Sequence, residues 1–109
     1  MKNAAQILNE NKAWVEETFQ KLDAKLRVVS ARNRDVVAYG DGVDENNRFI
    51  PNNEGERVHW WTNGFWPANM WQMFRMTGDD LYREEALRAE EEARLAEEEA
   101  ARQAVEEEN

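Results

Sequence analysis

Apolar residues recur at helical spacing in the first quarter of the chain. Val15, Phe19, Leu22 and Leu26 follow the four-three-four steps of one helical face, and Leu8 lies one heptad before Val15. Trp14 sits beside that stripe. Asn9, Glu10, Lys12, Glu16, Glu17 and Lys21 take the opposite face. The pattern predicts an amphipathic helix over residues 4–27, with Glu17 and Lys21 as an i,i+4 pair worth about 0.2–0.5 kcal/mol. From Arg27 to about Trp60 the periodicity stops. Asn33, Asp35, Gly40, Asp41, Gly42, Asp44, Asn46, Asn47, Pro51, Asn52 and Gly55 are turn formers. Val36–Tyr39 and Arg48–Ile50 are short enough to be extended pieces within that segment. A loop of this length inside a compact domain is more often functional than idle, so it is expected to lie over the mouth of a site.

Helical spacing returns near Asn63 and Gly64. Pro67 fits a first turn, where its missing N–H costs nothing. Trp66, Met70, Met73 and Phe74 then share a face, Trp71 flanks it, and Gly78 supplies the terminator after Met76. Asp79 or Asp80 caps a third helix, which runs from Leu81 without a breaker. Its inner stripe, Tyr82, Ala86, Ala89, Ala93, Ala96, Ala100 and Ala104, is nearly all alanine. Ala89–Ala93 returns seven residues later as Ala96–Ala100, and Glu84 with Arg88, Glu90 with Arg94 and Glu98 with Arg102 are expected i,i+4 pairs. A low-complexity run of this kind is a solvated helix face to which no chemistry is assigned. The expected fold class is all-α with one long irregular loop and a charged C-terminal helix. Two regions are expected, an N-terminal part over 1–90 and a Glu/Ala-rich helical tail over 91–109.

Charge sharpens this division. Residues 1–80 carry 10 basic against 12 acidic side chains, a balance of −2, whereas residues 81–109 carry 4 against 11, a balance of −7. An acidic chain repels phosphate backbones and anionic membrane surfaces, so neither nucleic acid nor membrane is expected as a partner. With no cysteine, disulfides and thiolate metal sites are excluded. The N-terminal residues lack the apolar run of a secretory signal, and no stretch reaches the length needed to span a bilayer, so a cytoplasmic location is expected.

The chemistry-bearing candidates lie between Val58 and Trp71, where four of the five tryptophans fall. Trp66, Trp71 and Phe74 belong to the helix and are expected in the core. Trp60 and Trp61 precede it. Adjacent tryptophans at a helix N-terminus can offer a flat apolar face to a sugar ring, while nearby amides favour a carboxylate. His59, the single histidine, has no acidic partner fixed by spacing and is read as a loop residue. No metal is expected, because Asp41, Asp44 and Glu45 lack the spacing of a calcium loop. No phosphate loop, nucleophile elbow or dinucleotide fingerprint is present, so no cofactor is expected.

Three blocks, in order, resemble the unsaturated glucuronyl hydrolases of glycoside hydrolase family 88 over residues 10 to about 90. Trp14–Phe19 through Leu26 is similar to their first helix. Trp60–Trp66 with Met70 and Trp71 is similar to their first inner-helix motif, and Thr77–Asp79 with Tyr82 and Ala86 to the turn and helix that follow. The resemblance implies a partial (α/α)6 barrel. It also implies unsaturated acidic oligosaccharides as partners, from which such enzymes remove a 4,5-unsaturated uronic acid. In that chemistry a catalytic Asp protonates the C4=C5 double bond and directs water to C5, and the hemiketal formed then opens. By position, Trp61 matches a tryptophan lining the substrate pocket, and Asn63 matches a nearby position that is Asn or Asp.

The chain also departs from that pattern. One essential Asp is expected about where this sequence has Ala104–Asn109, which contains none, and the second is expected beyond residue 109. No catalytic residue is therefore assigned, and the chain alone is expected not to hydrolyse. The competing expectation is a non-catalytic helical scaffold that forms homo-oligomers through exposed faces of its second and third helices, with the aromatic face of the second as the contact patch.

Overall fold

The computed structural model describes residues 1–36, 39–52 and 55–108, with the side chains of residues 39–41 and 61 outside that description. The fold is all-α, with one small two-stranded sheet. The chain divides into two compact units, Met1–Arg32 and Asn33–Asn109.

The first unit is helical, but not as one rod. Helix α1 (Ala4–Glu10) starts with a capping box, in which the Asn3 side chain accepts from the Gln6 N–H and the Gln6 side chain accepts from the Asn3 N–H. It ends at Asn11, whose side-chain Nδ2 donates to the Ile7 carbonyl at 2.8 Å. An asparagine side chain competing for a backbone carbonyl breaks the continuous helix expected over 4–27. Helix α2 (Lys12–Arg32) resumes at once and runs five residues past the expected end. The expected Glu17–Lys21 pair forms at 3.1 Å. Along the apolar stripe, Phe19 and Leu26 are half-buried, while Leu8, Val15 and Leu22 are exposed, as is Trp14 beside it.

In the second unit the irregular segment acquires order from its own polar side chains. Strands β1 (Tyr39–Val43) and β2 (Phe49–Pro51) pair antiparallel, with a register irregularity between Tyr39 and Val43. The two expected extended pieces are thus partly realised, and Val37 and Ala38 lie outside the described residues. Asp44 closes the hairpin, its Oδ1 accepting from the N–H groups of Asn46 and Arg48, and Asn47 takes a positive φ of 61°. The Asn33 side chain, fully buried, accepts the Phe49 N–H at 2.7 Å and ties β2 to the start of the unit.

Two 3-10 turns, Gly55–His59 and Trp61–Gly64, lead into helix α3 (Phe65–Thr77). Gly78 terminates it in the left-handed region at φ 70°, its N–H reaching the Phe74 carbonyl at 2.7 Å, as the sequence predicts. The Asp79 side chain accepts the Leu81 N–H at 3.0 Å and so caps helix α4 (Asp80–Glu108). The core lies between these helices. Met70 and Met73 of α3 and Tyr82, Ala86 and Ala89 of α4 are buried, each large side chain contributing about 1.5–3 kcal/mol. Farther along α4, burial fades through half-buried Ala93, Ala96 and Ala100 to exposed Ala104.

A buried polar interlock pins this helix pair. Trp66 Nε1 donates to Glu85 Oε1 at 3.1 Å, and Arg88 donates to both Glu85 oxygens, at 2.5 and 2.9 Å. Arg88 also reaches the Val36 carbonyl at 3.1 Å and Glu92 at 2.5 Å. Phe49 meets the Trp66 ring edge-on at 5.1 Å, a contact worth about 0.5–1.5 kcal/mol. Glu85, expected on a solvated face, is only 5% exposed. The expected pairing of α4 is corrected with it. Arg88 and Arg94 each bond the glutamates three residues before and four after, and Arg102 bonds Glu99; for Arg88, the partner three residues back is Glu85, which Trp66 fixes in place.

Glu85→Ala leaves Arg88 and the Trp66 N–H without their buried acceptor, and is expected to destabilise the second unit by about 3–5 kcal/mol. Glu85→Gln, which keeps an acceptor for Trp66, costs less. Urea unfolding followed by near-ultraviolet circular dichroism checks the order. At the hairpin, the Arg48 hydrogen bond holds the exposed Asp35 carboxyl below its ordinary value. Its small contribution is present above the unfolded-state value and is lost as pH falls through the lowered one. Asp35→Asn should therefore flatten the acid limb of the stability curve.

Candidate functional site

The segment Asn52–Gly64 is built around amide side chains. Asn52 is buried at 1% exposure, where an amide must find partners. Its Nδ2 donates to Asn63 Oδ1 at 2.9 Å, and its Oδ1 accepts Arg57 Nε at 2.8 Å. Asn63 Nδ2 in turn donates to the carbonyls of Arg57 and Val58, at 3.1 and 3.2 Å. Three side chains and two backbone carbonyls thus form a closed hydrogen-bond ring across the two 3-10 turns. Buried Val58 anchors the first turn from below. The Arg57 guanidinium lies 5.6 Å from the Trp60 ring centroid, within cation–π range.

This ring fixes what the expected site residues can do. Asn63 sits at the junction of the 3-10 turns and α3, and both of its amide donors face backbone carbonyls. Its geometry holds the turn together, with its oxygen engaged by Asn52 and its nitrogen by the two carbonyls. Trp61 opens the second 3-10 turn, and its side chain lies outside the described residues. Trp60 is 40% exposed. Together with His59, Gly64 and Pro67 it lines an open groove of about 370 Å³, whose other wall is Glu90, Ala93, Arg94 and Glu97 of α4.

The electrostatics of that second wall are set within α4. Arg94 bonds Glu91 and Glu98, each at 2.5 Å, which raises the guanidinium pKa and lowers that of Glu91. Its charge is thereby committed along its own helix. Glu90 Oε1 accepts the Trp71 indole N–H at 2.7 Å, and Glu97 Oε1 lies 3.8 Å from His59 Nδ1. Among the described residues no three His, Cys, Asp or Glu side chains converge as metal ligands would. None of the described helices is long and apolar enough to cross a membrane.

Asn52 and Arg57 escape a reading of the sequence. Asn52 is indistinguishable there from the other turn-forming asparagines, and only its burial reveals its role. Glu85 carried a faint signal, since it flanks the Tyr82–Ala86–Ala89 stripe with an arginine three residues on.

The chain has a partial likeness to a characterised enzyme. Over 64 residues it is 34% identical to the unsaturated glucuronyl hydrolase of Bacillus sp. (strain GL1), a stretch covering 55% of this chain and 15% of that protein. The likeness supports at most a distant relationship. No protein-family model matches the chain, and no solved structure matches it.

Replacing Asn63 separates donor from acceptor. Asn63→Asp turns a carboxylate toward the Arg57 and Val58 carbonyls, which disfavours the charged form and raises its pKa. The turn should loosen at neutral pH and re-form as pH falls and the carboxyl gains a donating proton. Near-ultraviolet circular dichroism of the tryptophans should follow that recovery, whereas Asn63→Ala should show the loss without it.

Proposed function

We propose that this chain corresponds to an N-terminal portion of an unsaturated glucuronyl hydrolase, bearing the sugar-facing turn of such an enzyme without its catalytic acid. The observation that carries this reading is the 64-residue likeness to the Bacillus enzyme. The ordered blocks around Trp14, Trp60–Trp71 and Thr77–Tyr82 support it from the sequence side, and the ring through Asn52, Arg57 and Asn63 supplies a pre-formed turn. In this reading Trp61 and Asn63 are the substrate-binding positions, as the sequence likeness implies. The partner is an unsaturated acidic oligosaccharide, and residues 1–90 form the enzyme-like part ahead of the Glu/Ala-rich tail. The full family reaction needs a carboxylic acid to protonate the C4=C5 bond. The run Ala104–Asn109 contains no Asp for that role.

A second reading, a helical protein that self-associates without catalysis, draws on what α3 leaves uncovered. Its aromatic face is largely closed by the core, with Trp66 only 7% exposed, but Phe65 and Met76 stay exposed. Sedimentation across a range of concentrations tests that reading directly.

The chain incubated with an unsaturated chondroitin disaccharide should leave the ultraviolet absorbance of the conjugated double bond unchanged. Tryptophan fluorescence should respond weakly to the same sugar, and less in Trp61→Ala. Steady loss of absorbance, abolished by Trp61→Ala, would contradict the inactive-portion reading and establish an enzyme.

A further inference from the structure

We propose that the groove between the Trp60 turn and α4, which Asn63 also lines, is a docking site for an arginine side chain of a basic peptide. Its walls are mostly apolar, with Trp60 and Pro67 on one side and Ala93 on the other, and the opening is about 370 Å³. That space suits an extended aliphatic stem carrying a flat head group. Two carboxylates line it, and among the described residues neither forms an ion pair with a lysine or arginine. Glu90 takes a neutral indole donor, and Glu97 faces only His59, at 3.8 Å. Arg94, the cation of the lining, is already bonded to Glu91 and Glu98. The groove therefore presents net negative charge on a helix that is itself strongly acidic, and an anion entering it meets repulsion.

Charge alone does not select guanidinium over ammonium, but the aromatic wall does. Trp60 already holds one guanidinium, that of Arg57, at 5.6 Å, and Arg57 is not among the groove-lining residues. A planar guanidinium can lie against an indole and donate to a carboxylate in the same plane, which a compact ammonium cannot do. The occupant fitted by both features is an arginine side chain with its head group between the Trp60 indole and the carboxylates of Glu90 and Glu97. The site is open, so binding is expected in the millimolar range and should weaken as salt rises.

The test is nitrogen-edited NMR of the tryptophan indole N–H groups in the full chain at pH 8, with the Trp60 signal assigned through Trp60→Phe. An acetylated and amidated Gly-Arg-Gly peptide should move the Trp60 signal saturably, with Gly-Lys-Gly weaker and Gly-Glu-Gly inert. The double variant Glu90→Gln/Glu97→Gln keeps an acceptor for Trp71 and should weaken arginine binding by about fivefold or more. An unchanged Trp66 signal, whose indole N–H bonds Glu85 and neither substituted residue, shows that α3 and α4 remain packed in that variant. No response of Trp60 to the arginine peptide, an equal response to the glutamate peptide, or equal affinity in the double variant overturns the proposal. Glucuronate in the same titration reports on the sugar reading separately, since a response to glucuronate without one to arginine sinks the peptide site and leaves the sugar-facing turn standing.

Discussion

Glu85 is a carboxylate that water hardly reaches, and the second unit is arranged around keeping it satisfied. Burying such a charge costs several kcal/mol unless its lone pairs are filled. The Trp66 indole N–H fills one, and Arg88 fills others from one turn along the same helix. Arg88 then spends a remaining donor on the Val36 carbonyl, which draws the start of the unit onto α4. Apolar contacts between Met70, Met73, Tyr82 and Ala86 supply the larger share of the burial energy, but apolar burial is non-directional. The hydrogen bonds select one rotation of α4 against α3. A second bond of the same kind, Trp71 to Glu90, repeats the 19-residue separation five residues farther on.

Past Ala89 the helix depends on something else. Alanine offers too little area to hold it against a neighbour, and burial falls away along the stripe. Beside the Trp71–Glu90 bond and the approach of Glu97 to His59, the helix relies on propensity and on ion pairs that run from each arginine to glutamates on adjacent turns. These pairs also decide the character of the groove beside Trp60. Because Arg94 is bound within its own helix, the carboxylates of Glu90 and Glu97 are left to set the sign of the field there. The low-complexity tail is thus silent as a motif but active as an electrostatic wall.

Helices α3 and α4 and their junction were legible in the sequence because local chemistry and tertiary demand agree there. Trp66, Met70 and Met73 keep helical spacing, Gly78 must adopt a positive φ, and Asp79 is a good cap. The break at Asn11 was not legible, since one side-chain amide competing with the backbone leaves the apolar periodicity intact. The burial of Glu85 was hidden by its neighbours, for a glutamate among glutamates reads as solvent-facing until the indole across from it is known. Of the candidate site, the position of the turn could be read, with Trp60 and Asn63 within it. The engagement of Asn63 by Asn52 and by two backbone carbonyls could not, because no periodicity connects residues 11 positions apart in an irregular segment.

The most direct measurement is hydrogen exchange at the indole N–H groups, resolved by nitrogen-edited NMR. If the Trp66–Glu85–Arg88 interlock organises the second unit, the Trp66 indole proton should exchange as slowly as the core amides of α3. Backbone amides beyond Ala100 should exchange far faster. A Trp66 indole that exchanges as rapidly as that of exposed Trp14 would mean that Glu85 does not hold it, and that α3 and α4 are joined by apolar contact alone.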